Sequence, residues 1–500
     1  MVETLDVLIV GAGISGIGTA WHLQKYCPGK RFALLEMRDS IGGTWDLFRY
    51  PGIRSDSDMH TLGYRFRPWT KAKAIADGPS IMEYLNEAVD DYGIRDRIRY
   101  RHKAVKAEWS SADAHWLVTV ETPEGTRQIA ANFISMCSGY YNYSKPYRPE
   151  FPGETAFRGR IVHPQFWTPD IDYAGKRVVV IGSGATAVTL VPEMAKTAAH
   201  VTMLQRSPTY VVSRPAADRI ANGLRRVLPE MAAYTITRWK NVLAQLFFFK
   251  LARSRPAKVK EKMIEMVRAE LPGHDVATHF TPRYNPWDQR VCLVPDADLF
   301  ESLRAGTSSV VTDTIERFTE TGIALSSGKV LEADLIVTAT GLDLQLMSDI
   351  ELVIDGRPHD ITTSMQYKAM MYSDVPNLAN TFGYTNASWT LKADLTAEYV
   401  CRLINHMDKT GMRQCTPRVT DASVTEVPFL DFSSGYVTRA MHKFPRQGSK
   451  KPWRVDQNYA VDMLALRYGK LEDGAMIFSN PAGGVTLPQP EWEPVAAAAE

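Results

Sequence analysis

The chain has 500 residues, 45% of them hydrophobic and 23% charged, the composition of a globular protein long enough to bury a large core. Lys+Arg 58 against Asp+Glu 56 gives a formal charge of +2, which argues against nucleic acid or an anionic membrane as the main partner. Five scattered cysteines (Cys27, Cys137, Cys292, Cys401, Cys415) with no CxxC pair argue against structural zinc and dithiol chemistry and for a reducing compartment. The N-terminal run is acidic and lacks a basic leader, so it reads as a buried strand and not a signal peptide. No stretch reaches the roughly 18–20 apolar residues that a membrane span needs. A cytoplasmic enzyme is the expectation, with at most a weak peripheral membrane contact at the short apolar patch Leu243–Phe249.

The first predicted elements form a nucleotide site. The apolar strand Asp6–Val10 runs into Gly11-Ala-Gly13-Ile-Ser15-Gly16, and Ile14, Ile17, Ala20 and Leu23 then recur at helical spacing until Pro28-Gly29. A second strand ends in Glu36, an acid 25 residues beyond Gly11. Gly11 allows the tight turn, Gly13 lets the backbone approach a pyrophosphate, and Gly16 lets helix and strand pack closely. The helix N-terminus offers free N–H groups to phosphate, and Glu36 can accept from a ribose diol. The following Gly42-Gly43-Thr44-Trp45 suits a loop pressed against a flat cofactor, a pattern closer to FAD-binding proteins than to NAD dehydrogenases.

Short β-like runs occupy about 98–131, and a buried strand ends at Gly139. A proline-rich crossing, Lys145–Gly153, marks a boundary. The polar connector Phe157-x-Gly159-x-x-x-His163-x-x-x-Trp167 follows. A second strand-to-loop design then appears, Arg177–Ile181 into Gly182-Ser-Gly184-Ala185-Thr186-Ala187. Its next strand ends in Arg206-Ser207 instead of an acid. A cation there accommodates the 2′-phosphate of NADPH, where an acid would favour NAD. From 214 to 282 the apolar spacing is helical, read as a cap without a chemical role. The apolar strand ending in Ala339-Thr340-Gly341 closes the second nucleotide unit and returns the chain to the first.

An FAD-like site, then Phe157-x-Gly159-x-x-x-His163-x-x-x-Trp167, then an NADPH-like site resembles the fingerprint of type I Baeyer–Villiger monooxygenases. The resemblance covers nearly the whole chain. It is closest to the subgroup typified by the ethionamide-activating monooxygenase, through Phe48–Asp58, Tyr284–Arg290 and Gly383–Asp394. Thr168 stands where the family usually has proline or aspartate, and Gln289 where lysine is usual, which shifts the 2′-phosphate preference onto Arg206 and Ser207.

The resemblance implies an α/β protein with two Rossmann-like domains, for FAD and NADPH, and a helical insertion in the second. The expected spans are 1–150 and 343–500 for FAD, 151–213 and 283–342 for NADPH, and 214–282 for the insertion. It implies FAD and NADPH as cofactors, a small ketone or sulfide and O2 as substrates, and ester or lactone formation through a C4a-peroxyflavin. By the same resemblance Arg290 is the active-site arginine and Asp56 the carboxylate that orients it. His163 is expected to orient the joint rather than act as a base. Trp389 and Asn386 are pocket candidates, and Arg446–Trp453 suits a loop closing over NADPH. The rivals are a flavin-containing monooxygenase limited to nitrogen or sulfur, an NADPH oxidase or dithiol reductase, and a non-catalytic FAD-binding redox sensor.

Overall fold

A mixed sheet and a parallel one, each built outward from one glycine loop, place the site between them. The computed structural model describes residues 2–429 and 434–481; the tail 488–500, expected to fray, lies outside them. Strand β1 (Glu3–Val10), helix α1 (Ile14–Tyr26) and strand β2 (Phe32–Glu36) form the first strand–loop–helix–strand unit. β1 lies between β2 and the strand Gly125–Met136, parallel to both, with Val10 opposite Leu35 and Met136. Val7, Leu8 and Ile9 are fully buried, because both sheet faces are covered. That is why the run is continuously apolar instead of alternating. The sheet continues through an antiparallel ribbon, Lys103–Ser110 and His115–Thr122. The chain rejoins it at Glu351–Ile354 and Leu378–Asn380.

The second sheet is parallel throughout. Strand β3 (Arg177–Ile181), helix α2 (Ala185–Met194) and strand β4 (His200–Gln205) carry its loop. Its strand order is Ser308–Thr312, β4, β3, Leu335–Thr338 and Arg160–Val162. The last of these corrects the reading of the fingerprint as a connector. Its Arg160–Val162 is the edge strand of this sheet, in register with Leu335–Val337, followed by a 3-10 turn at Pro164–Phe166. Three residues beginning with an arginine carry no readable alternation; the pairing comes from the neighbouring strand.

The helical stretch contains Arg219–Val227, the 25-residue helix α3 (Glu230–Ser254), Pro256–Glu270 and Val276–His279. Leu243 and Phe247 of α3 are 56% and 68% exposed, while Phe249 packs edge-on against Trp287 at 5.7 Å, so the apolar patch is split between solvent and core. No helix among the described residues is long and apolar enough to cross a membrane. The buried helix α4 (Trp389–Thr410) packs against α1.

The Arg446–Trp453 run is not a free closing loop. Gln447–Gly448 pairs with Glu426–Val427, and Gln366 N donates to Arg446 O at 2.8 Å. Trp453 is 2% exposed, and a Cβ on Gly448 would fall 2.6 Å from that of Trp453. Its polar look comes from the exposed Arg446, Lys450 and Lys451, in a segment that the buried tryptophan anchors.

Candidate active site

The first glycine loop has the shape of a dinucleotide cradle. Gly11 has φ +106, and a Cβ there would sit 2.5 Å from Cys137 O. A Cβ on Gly16 would lie 1.9 Å from Gly11 O, so α1 can start on the loop only with glycine there. Around Gly13 the nearest atom to a Cβ is Gly43 Cα, 3.6 Å away, which brings the second glycine pair against the loop. Glu36 is buried at the end of β2, where its carboxylate accepts from Ala12 N at 2.9 Å and Arg38 N at 3.0 Å. Burial raises its pKa, and these two N–H bonds oppose the rise. Thr44 begins the short helix Thr44–Leu47, its hydroxyl beside the half-buried Tyr143, and Trp45 packs into the same core as α1. Ser15 Oγ accepts from Trp389 Nε1 at 2.7 Å. These residues fit FAD: a glycine cradle at a helix start, with a carboxylate behind it.

The second loop is open where the first is closed in. Gly182 has φ +137, and its Cβ would collide with Ala339 O at 2.3 Å, but nothing lies within 4 Å of a Cβ on the exposed Gly184. Ala185 and Thr186 begin α2, and Ala187, in the third glycine position, is fully buried. Arg206 and Ser207 are exposed at the end of β4, and Ser183 Oγ donates to Ser207 O at 3.1 Å. Among the described residues Arg206 has no hydrogen bond or ion pair, so its charge is available to a phosphate. Gln289 sits in a tight turn, bridged to Pro286.

Arg290 and Asp56, 234 positions apart by their numbers, form an ion pair, with Nη2 2.5 Å from Oδ2. Their side chains keep 40% and 39% of their exposure, so the pair faces solvent while protein surrounds it. The Asp56 carboxylate holds the Arg290 pKa above its ordinary value, and Tyr436, Tyr140 and Tyr141 lie around the same guanidinium. Tyr140 and Tyr141 share a hydroxyl contact of 2.7 Å, and Tyr140 stacks on Trp389 at 5.0 Å and 12°. Burial pushes both phenols above their ordinary range, so they stay neutral donors. These three tyrosines escape the sequence reading. They come from a strand exit and a C-terminal helix, and no local pattern ties them to Arg290.

His163 is held at both ring nitrogens. Its Nδ1 accepts from Gln165 N at 3.2 Å, and its Nε2 faces Gly341 O at 3.3 Å, which fixes the Nε2–H tautomer. Burial pushes its pKa down to about 4. Both ring nitrogens are therefore engaged, one within the turn after the edge strand and one on the Ala339–Gly341 turn. Phe157 packs in the core of this sheet, Trp167 lies edge-on to Tyr173 at 6.1 Å, and a Cβ on Gly159 would meet Asp334 O at 2.5 Å. Gln165 reaches across to Asn142 O and Tyr143 O, both at 2.9 Å, and so fastens the fingerprint stretch to the segment just before the proline-rich crossing. Asn386 is buried and donates to Gln457 O at 2.9 Å. Close by, Gly383, Lys392, Phe429 and Gln457 help to line a cavity of about 10 Å³, room for one water.

This arrangement agrees with what the chain resembles. The family described as flavin-binding monooxygenase-like matches residues 75–356, and an NAD(P)-binding Rossmann-like domain matches 9–77. The FAD-containing monooxygenase EthA of Mycolicibacterium smegmatis is 53% identical over 488 residues, covering 97% of this chain and 99% of that one. The probable FAD-binding monooxygenase AlmA of Acinetobacter baylyi is 49% identical over 483 residues, 96% of this chain and 97% of its own. An oxidized steroid monooxygenase bound to NADP shares the fold at a TM-score of 0.75 and 22% identity, over 96% of this chain and all (100%) of that one. The chain belongs to the flavin-binding monooxygenase-like family and is an FAD-dependent monooxygenase of the EthA group.

Proposed function

We propose that the protein converts ketones to esters or lactones, using NADPH and O2, and that it also oxidises sulfides and thioamides. The observation that carries this reading is the Asp56-held Arg290, a fixed cation beside three tyrosines that keeps 40% of its side-chain exposure. When bound, FAD takes up reducing equivalents from NADPH and passes one oxygen atom of O2 to the substrate. The protein supplies the charge and the placement. Asp56 holds one edge of the guanidinium, leaving its other N–H groups to donate to oxygen as negative charge develops on it. Tyr140, Tyr141 and Tyr436 add neutral hydroxyls around the same point.

Gly11, Gly13, Ser15, Gly16, Glu36, Gly43, Thr44 and Trp45 hold FAD in this reading, and Gly182, Gly184, Ala185, Thr186, Arg206 and Ser207 hold NADPH. Phe157, Gly159, His163 and Trp167 couple the two units mechanically. Residues 1–150 and 343–500 form the FAD part, 151–213 and 283–342 the NADPH part, and 214–282 the insertion, in a cytoplasmic enzyme. The test is a panel of cyclic, aliphatic and aryl ketones and of sulfides under 18O2, with product mass read. Labelled esters are expected. Labelled sulfoxides with no labelled ester from any ketone would sink the ketone assignment.

A further inference from the structure

Helix α3 touches both halves of the Arg290–Asp56 pair's support. Its stretch from 234 to 245 grips the segment that follows Asp56. Asn241 Nδ2 and Gln245 Nε2 donate to the two Asp58 carboxylate oxygens at 2.8 and 3.1 Å. One turn earlier, Arg238, 5% exposed, donates to His60 O and Gly63 O at 2.8 Å each and to Thr61 O at 3.3 Å. These are the free carbonyls at the end of the four-residue helix Met59–Leu62, which a buried guanidinium satisfies. Tyr234 adds a bond to Tyr64 O at 2.9 Å. On the other side of Asp56, Ser55 N is fixed to Ala76 O at 2.8 Å.

The C-terminal half of α3 grips the turn that ends in Arg290. Phe249 lies against Trp287, and Arg253 pairs with Asp288 at 2.9 Å. Trp287 has φ +69, a strained conformation for a large residue, held here by the packing around it. The far side of the same turn is tied to the separate two-stranded ribbon of Tyr210–Arg214 and Val291–Pro295, through Tyr210 Oη donating to Tyr284 O at 2.6 Å. From Arg238 to Arg253 the helix runs roughly 22 Å at 1.5 Å per residue, a stiff rod joining two segments that contribute one partner each.

We propose that α3 is a strut that sets the Asp56–Arg290 geometry, with Arg238, Asn241 and Gln245 positioning one end and Phe249 the other. As a statement about catalysis this rests on the oxygen-transfer reading of Arg290; as a statement about geometry it stands alone. It replaces the expectation of a helical cap without a role. The four residues are positioning residues, acting through Asp58, the carbonyls of His60, Thr61 and Gly63, and Trp287.

The test cuts each end. Asn241→Leu with Gln245→Leu cuts the first, Phe249→Ala cuts the second, and the combined variant cuts both. Oxygenated product per NADPH is expected to fall about tenfold in each and no further when combined, because residues acting as a unit are non-additive. Anaerobic flavin reduction by NADPH should stay within about twofold of wild type. Losses that multiply to about a hundredfold, or reduction and oxygenation falling together, would overturn the strut. Amide hydrogen exchange gives a readout independent of turnover. Phe249→Ala should speed exchange across 54–58, which that side chain does not touch, and unchanged exchange there would overturn the proposal even if the enzyme proved inactive on every ketone. Wild type that makes no labelled ester would overturn the proposed function instead.

Discussion

Arg206 and His163 show how far single side chains can be read. The sequence places a cation at the end of β4, and the structure leaves it exposed and unpaired among the described residues. Arg206→Ala should therefore raise KM for NADPH about 10- to 100-fold, the worth of a charge-assisted bond, and leave KM for NADH nearly unchanged. Equal effects on both cofactors in steady-state kinetics would remove Arg206 from the 2′-phosphate site. His163 is depressed from 6.5 to about 4 by burial, so the unfolded chain binds more protons between those values. Its contribution to stability is present above pH 6.5 and is lost as pH falls through 4, a change of about 3 kcal/mol. Urea unfolding from pH 4 to 7 should show this slope in wild type and a flatter one in His163→Gln. Arg290 and Asp56 are legible because a motif names them. Tyr436 is not, because its partner is 146 positions away by number and a lone tyrosine in a short helix carries no signal.

Among the elements, those with strong local rules are readable. Both glycine loops lie between an apolar strand and a helix, as their spacing requires, and Gly11, Gly16 and Gly182 each occupy a place that a Cβ would fill with another backbone. The edge strand Arg160–Val162 is not readable, since its conformation is imposed by Leu335–Val337 alongside it. Gly159→Ala, with a Cβ 2.5 Å from Asp334 O, should loosen that edge and lower the thermal midpoint; an unchanged midpoint would mean the strand yields at no cost. The role of α3 is hidden for a related reason. Its apolar spacing announces a helix but cannot show that Arg238 is buried against carbonyls of a segment more than 170 positions earlier. Arg238→Met would leave those carbonyls and Asp394 without their cation, a loss of about 3–5 kcal/mol in denaturant unfolding, and Arg238→Lys should recover part of it.

Across the whole molecule the two nucleotide units are locked together by the stretch that follows the Gly42-Gly43 pair. Phe48 and Tyr50 belong to the hydrophobic core of the second unit, and the Tyr50 hydroxyl meets Thr186 on the second loop. Arg54 pairs with Asp298 on the second unit's helix Asp298–Arg304. Gly52, with φ +75, lies so close to α2 that a Cβ would be 2.9 Å from Glu193 Cβ and 3.2 Å from Thr189 O. Gly52→Leu should wedge the units apart, slowing flavin reduction by NADPH about tenfold while flavin content is retained, since 1.4 kcal/mol of misplacement suffices for that factor. Loss of flavin instead would show that this contact supports the first unit alone. The central claim is that a cation fixed by Asp56 at this junction directs oxygen into a ketone. Its most direct test is 18O incorporated into ester per NADPH oxidised, wild type against Arg290→Ala. NADPH oxidation should continue in the variant while labelled ester falls about 10²- to 10³-fold. Ester formed at near wild-type yield by Arg290→Ala would contradict the account.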